Sequence, residues 1–319
     1  MELIFIGYVL DIIFGDPYWI PHPIIFIGKS ISRLEKLLRE YFDKDRKARI
    51  GGVILALVMI VGTYLITFSI LYILRKYSTL LANVVEVFMI FQILASKSLA
   101  KESRKVYYPL VEGDILKARK FLSYIVGRDT SSLNADEITR ATVETVAENS
   151  ADGIIAPLFY IFIGGAPLGM AYKAINTLDS MVGYKNEKYK DFGWASAKID
   201  DLANFIPARL TGILIVFASA VLNHDYKNSF KILLRDRKNH SSPNCAYPEG
   251  AVAGALNIQL GGTNIYFGKA VYKPTIGDKN RELDFEDINR TIRIMYVASF
   301  LGVCLMGAVK YFINIVFLA

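Results

Sequence analysis

Gly51–Leu74, GGVILALVMIVGTYLITFSILYIL, runs for 24 residues without a charged side chain. At about 1.5 Å of rise per residue, a helix of this length crosses a hydrocarbon layer of roughly 30 Å. Lipid offers no partner to a backbone N–H or C=O, so the run is predicted to be a membrane-spanning helix that satisfies them internally. Soluble helices rarely stay uncharged for about six turns, which weighs against a buried soluble helix.

Immediately before this run, residues 29–50 hold eight basic residues (Lys29, Arg33, Lys36, Arg39, Lys44, Arg46, Lys47 and Arg49) against four acids. That bias next to a span predicts that the segment is cytoplasmic. Further apolar segments fall at 1–14, 80–96, 153–172, 206–223 and 294–318. The 153–172 segment, GIIAPLFYIFIGGAPLGMAY, is uncharged but broken by Gly164-Gly165-Ala166-Pro167. A re-entrant hairpin, a discontinuous span and a kinked span all fit that pattern. Residues 97–152 read as polar helices, and the best strand signal lies at 263–272.

Of the 319 residues, 53% are hydrophobic and 21% charged, with a mean hydropathy of +0.33. That is too apolar for an ordinary soluble protein and too charged for a bundle of spans alone. The expected fold is all-α: a polytopic integral membrane protein of the cell membrane, one domain over 1–319. It should contain a re-entrant or broken helix, with polar helical segments and the active face on the cytoplasmic side. No internal repeat supports an inverted-repeat transporter. The net charge of +7 suits cytoplasmic loops or anionic partners. No basic block with interleaved aromatics argues for nucleic acid. The two cysteines, Cys245 and Cys304, sit in a polar loop and an apolar stretch, a poor basis for a disulfide or zinc site. The N-terminus lacks a basic n-region and reads as a retained membrane-associated helix.

Polar residues concentrate in five places. Asp11, Asp16 and His22 close a short apolar helix, where they are costly without a purpose; His22 reads as a general base, a ligand or a structural histidine. Glu137, Glu144 and Glu148 are spaced seven and four apart on one helical face, with Asp152 behind. They suit either a solvated face or a hard cation such as Mg²⁺. Lys173, Asn176, Thr177 and Ser180 form one stripe, in which Lys173 is a point charge suited to phosphate; a plain cavity lining is the alternative. Asp200, Asp201 and Asn204 can converge as oxygen ligands, and Arg209 can hold phosphate or carboxylate bidentately. Last, Arg235, Arg237, Lys238 and His240 lead into Ser241-Ser242-Pro243-Asn244, with Glu249 beyond. That segment reads as an anion-binding loop or a lipid-headgroup patch. Gly28-Lys29-Ser30 resembles the end of a Walker A loop, but Pro23 stands where its first glycine is needed.

The blocks GDPYWIPHP, ATVETVAENSADGIIAPLFY, AYKAINTLDSMVGYKNEKY, GWASAKIDDLANFIPARLT and HSSPNCAYPEGAVAGAL, in this order, resemble the CobD/CbiB family of cobalamin biosynthesis. The resemblance runs from about residue 3 to 300. It implies a membrane-bound adenosylcobinamide-phosphate synthase. Such an enzyme condenses a propionate of adenosylcobyric acid with (R)-1-amino-2-propanol O-phosphate, or a related amino-alcohol phosphate, in an ATP-dependent ligation. The cofactors implied are Mg²⁺ and ATP, the latter as co-substrate. The partners implied are the corrinoid, the amine and the lipid membrane, with other pathway enzymes or self-association open. Laid over the residues, it gives an expected site. The catalytic groups are His22, Glu148, Lys173 and His240. Substrate and phosphate groups are Asp16, Asn149, Asn176, Thr177, Ser180, Arg209, Arg237, Ser242, Asn244 and Glu249. Metal ligands are Glu144, Glu148, Asp152, Asp200, Asp201 and Asn204. All five blocks are expected to line one cavity. An intramembrane prenyltransferase-like enzyme and a non-enzymatic corrinoid transporter or binding protein are the alternatives. The first should carry two Asp-rich motifs, where only 200–204 resembles one; the second should carry more full-length spans and internal symmetry.

Overall fold

The computed structural model describes residues 1–17, 19–42, 45–184, 186–266 and 269–318, with backbone alone for 45, 46, 266, 269, 317 and 318. Tyr18 and Lys185 of the motif blocks, Lys44 of the basic segment, and Phe267 and Gly268 of the strand signal lie outside the described residues. In chain order the elements are α1 (Glu2–Phe14), α2 (Pro23–Tyr41), α3 (Asp45–Tyr77), α4 (Thr79–Ile93), α5 (Ser96–Val111), α6 (Ile115–Leu122) and α7 (Ala135–Ser150). A π-helical turn (Ala151–Ile155) leads into α8 (Ala156–Val182), followed by α9 (Trp194–Ala203), α10 (Phe205–Val221), α11 (Tyr226–Asp236) and α12 (Ala246–Leu256). A hairpin of β1 (Leu260–Tyr266) and β2 (Lys269–Ile276) precedes α13 (Glu286–Leu318). The fold is helical as expected, with this hairpin where the strand signal lay.

Among the described residues, four helical stretches are long and apolar enough to cross a membrane: Lys47–Tyr77, Thr79–Val111, Ala135–Val182 and Glu286–Val316. A fifth follows if Trp194–Ala203 and Phe205–Val221, bent by 45°, count as one span. At 13 residues, α1 is too short to be one.

The chain forms two compact units, each assembled from separate stretches. The first comprises residues 1–95, 156–204 and 306–319. His22 caps α2, with Pro23 at its first position, where a missing N–H costs nothing. The buried face of α2 (Ile27, Ile31, Leu38) joins Leu55, Leu178 and Phe192 in a common core. Gly52 lets α3 touch the backbone of Phe192: a Cβ there would collide with the Phe192 carbonyl. The break expected at 164–167 is present in α8. Gly164 (φ −133°, ψ 21°) and Gly165 (φ 67°, ψ −164°) leave the helical region just before Pro167. Only glycine adopts the second pair at no steric cost.

The second unit comprises residues 96–155 and 205–305. A capping box starts α7: Asn134 accepts from the Glu137 N–H at 2.9 Å, and Glu137 accepts from the Asn134 N–H at 2.8 Å. Nearly all of α12, AYPEGAVAGAL, is buried. Its small residues admit close neighbours; a Cβ on Gly254 would strike the Asn228 and Ser229 backbone of α11. The hairpin is antiparallel, pairing Thr263 with Tyr272 and Asn264 with Val271, and its register shifts between Leu260 and Gly262. Gly261 (φ 81°) and Gly262 (φ 88°) carry that irregularity.

Candidate functional site

Three polar groupings follow from this architecture, two in the first unit and one in the second. In the first unit, Gly15 ends α1 by donating to the Asp11 carbonyl at 2.9 Å, and Asp16 follows at once. The His22 ring accepts the Ile24 N–H at Nδ1, 3.1 Å away, and its Nε2 lies 3.5 Å from Asp16 Oδ1. One nitrogen therefore caps α2 and the other meets an acid. Lys173 is buried in α8 and donates to the Ile93 carbonyl at 3.1 Å; its charge is felt by Asp16 and Asp11. Thr177 bonds back to the Lys173 carbonyl at 2.6 Å, Asn176 is half-buried, and Ser180 is exposed.

In the same unit, Tyr172 donates to Asn204 Oδ1 at 2.8 Å, and Asn204 donates to Asp200 Oδ2 at 3.1 Å. Tyr160 stacks on Tyr172 with centroids 5.1 Å apart and donates to the Ala203 carbonyl at 2.9 Å. Asp201 departs from the expected convergence, because it meets Lys198 at 3.0 Å, one helical turn away. The tyrosine pair carried no sequence signal beyond membership of an apolar run.

In the second unit, Glu144 is 4% exposed and fully engaged. Arg128 reaches its Oε2 at 2.6 Å, the Gly261 N–H reaches its Oε1 at 2.8 Å, and Arg140 stands 4.0 Å from Oε1. Arg128 also donates to Asn264 at 2.6 Å, tying α7 to the hairpin. Glu148 Oε1 accepts from the Cys245 thiol at 2.9 Å. Burial first, then the neighbouring Glu148 and Asp152, pushes that thiol well up, so it is no thiolate nucleophile. Glu249 is 3% exposed. Burial first, then Glu144 and Glu148, pushes its carboxyl well above the usual range against the opposing pull of Lys273 and Arg128. A protonated Glu249 donates a hydrogen bond instead of offering a charge.

His240 Nδ1 accepts the Ser242 N–H at 3.0 Å, and Nε2 lies 3.4 Å from Lys273 Nζ. Burial and Lys273 hold the ring below its ordinary value, against Glu148 and Glu144, so it is neutral at pH 7. The Ser242–Asn244 loop, expected to present donors to an anion, is folded onto itself: the Asn244 N–H bonds to Ser242 Oγ at 3.3 Å. Arg209 lies on the rings of Phe205 and Tyr247 and donates to the Phe205 carbonyl at 2.6 Å, with Asn244 Oδ1 at 3.5 Å. Arg237 donates to the Leu234 carbonyl, and Asn149 to Thr145 at 2.9 Å.

The expected metal set thus divides. Glu144, Glu148 and Asp152 belong to the second unit, and Asp200, Asp201 and Asn204 to the first. Among the described residues no three His, Cys, Asp or Glu side chains are grouped to hold a metal ion. Glu144 is spent on Arg128 and a backbone N–H, and Asp201 on Lys198, so these residues do not fit a resident cation. Arg128, Lys273 and Asn264 escaped the sequence reading, as no spacing rule links them to α7. A polar cavity of about 480 Å³ also lies in the second unit, lined by Ala255 and Leu256 at the end of the last block and by residues outside it including His224, Asn257, Arg281 and Arg290.

The CobD/CbiB protein family model matches residues 4–295. The chain is 53% identical over 316 residues to the cobalamin biosynthesis protein CobD of Clostridium perfringens, covering 99% of this chain and 100% of that protein. It is 51% identical over 300 residues to CobD of Clostridium tetani, covering 94% of each. It is 50% identical over 305 residues to the cobalamin biosynthesis protein CbiB of Salmonella typhimurium, covering 96% of each. No solved structure matches.

Proposed function

Because the chain belongs to the CobD/CbiB family, and so to cobalamin biosynthesis, we propose that it is the adenosylcobinamide-phosphate synthase. It joins a propionate carboxylate of adenosylcobyric acid to (R)-1-amino-2-propanol O-phosphate or a related amino-alcohol phosphate. The observation that carries this reading is the full-length match to CobD and CbiB proteins at about half identity. The enzyme works in the cell membrane with its active face to the cytoplasm, as the basic segment before α3 favours.

A carboxylate does not acylate an amine until its oxygen becomes a leaving group. ATP supplies this by transferring its γ-phosphoryl group to the propionate, leaving ADP; the amine then attacks the acyl phosphate and expels phosphate. Mg²⁺ arrives with the nucleotide rather than residing in the protein. The attacking amine must first lose its ammonium proton, and His240 Nδ1, on a ring neutral at pH 7, is suited to accept it once the Ser242 N–H lets go. The upward shift of Glu249 favours its protonated form, which offers a donor to a carboxyl or phosphoryl oxygen. Purified protein in detergent, given adenosylcobyric acid, amino-alcohol phosphate, ATP and Mg²⁺, should yield the amide mass by mass spectrometry, with one ADP per product. Its absence in a folded preparation overturns the assignment.

A further inference from the structure

Glu86 is an acid in the middle of the apolar helix α4, where an unpaired charge is expensive. Its partner is Arg75, at the end of the uncharged run of α3, with Nη2 at 2.6 Å from Oε2. The pair is lopsided: the Glu86 side chain is 11% exposed and that of Arg75 is 53%. Glu86 is also seated against the break in α8, since a Cβ on Gly165 would lie 2.9 Å from its Oε1.

Around the pair lies a cavity of about 210 Å³, lined by Tyr64, Phe68, Tyr72 and Pro167 as well as the two charges. Tyr64, Phe68 and Tyr72 stack in a ladder with successive centroids 6.1 Å apart. Lys76 sits over the Tyr72 ring at 4.7 Å. All these residues belong to the first unit. Arg75 cancels Glu86, so Lys76, set over the Tyr72 ring that lines the cavity, adds one net positive charge beside it. A guanidinium has five N–H donors, and binding Glu86 through one nitrogen leaves others directed outward. Basic and aromatic side chains at the end of a lipid-length run occupy the depth where hydrocarbon gives way to headgroups. The volume suits a headgroup and the first atoms of its chains.

We propose that this cavity binds the headgroup of an anionic phospholipid. Arg75 and Lys76 hold the phosphate, the Tyr64–Phe68–Tyr72 ladder lies along the lipid beside it, and Glu86 fixes the Arg75 fork. The site stands apart from the ligase reading and is tested without turnover. The full chain in detergent is titrated with phosphatidylglycerol or phosphatidylcholine, and lipid retention is read by native mass spectrometry and protection by the thermal midpoint. Phosphatidylglycerol should be retained at least about tenfold more tightly than phosphatidylcholine, and Lys76→Gln should weaken it about fivefold. Removing Arg75 alone would strand Glu86, so the double variant Arg75→Gln/Glu86→Gln carries the stronger test. It should lower the phosphatidylglycerol preference at least about fivefold, leaving only what Lys76 supplies. Equal retention of the two lipids by the wild type, or an undiminished preference in the double variant, overturns the site.

Discussion

In the first unit, Lys173 stands among Asp11 and Asp16, Lys198 meets Asp201, and Asp200 is held through Asn204 by Tyr172. In the second, Glu144, Glu148, Glu249 and Cys245 share a buried neighbourhood in which Arg128 is committed to Glu144 and Lys273 to His240. Among the first unit's acids named here, Asp201 has a counter-charge in Lys198 and Asp200 an amide partner in Asn204. The acids named in the second unit lie among Arg128, Arg140 and Lys273, and burial there raises the Glu249 carboxyl well above its usual range. Under the proposed ligation, the second cluster is the better place for proton transfer and the first unit the better place for rigid positioning.

The sharpest test of this contrast sets the two histidines against each other. His240→Asn should cut turnover about 10²- to 10⁴-fold, the usual range for losing a general base. His22→Asn should retain turnover within about threefold, because asparagine is itself a good N-cap. Equal losses would erase the distinction between the clusters. Next comes Arg128→Met, which buries an unpaired Glu144; it should cost about 3–5 kcal/mol in chemical denaturation, most of it recovered by adding Glu144→Gln.

Protonation gives a pH signature. Glu249 holds its proton more tightly folded than unfolded, so above about pH 4.5, its ordinary value, the folded state carries the extra proton and stability falls as pH rises. Glu249→Gln should remove that slope, raising the thermal midpoint near pH 8 and leaving it unchanged near pH 4. His240 acts in the opposite sense: its folded value is lowered, so its contribution is lost as pH falls below 6.5. His240→Asn should flatten the acid side of the same profile. Smaller effects belong to the first unit. Tyr172→Phe breaks one buried hydrogen bond to Asn204 and should cost about 1 kcal/mol. Asp201→Ala, which removes a partly exposed pair with Lys198, should change stability by less than about 0.5 kcal/mol.

The long apolar run, the break at Gly164–Pro167 and the strand signal were legible because each depends on local chemistry: an absent charge, a glycine conformation, a β-rich stretch. The face shared by Glu144 and Glu148 was legible from helical periodicity. Their partners were not. Periodicity says that Lys173, Asn176 and Thr177 lie on one side of a helix, but not that Lys173 meets the Ile93 carbonyl. Arg128 sits in a loop without a motif, and its pairing with Glu144 and Asn264 exists only once α7 and the hairpin meet. The division into two units left no linker, since each is stitched from separated stretches, and nothing local marks where one ends.

The Cys245 thiol, sealed against Glu148 with its proton held tightly, also serves as a built-in clock. It can react with a water-soluble maleimide only in the instants when the α12 end of the second unit opens. In a Cys304→Ser background the labelling rate, divided by that of a free thiol at the same pH, equals the fraction of time spent open. Following that rate while corrinoid, amine or nucleotide is added would show which of them latches this region shut, with no probe attached to the chain.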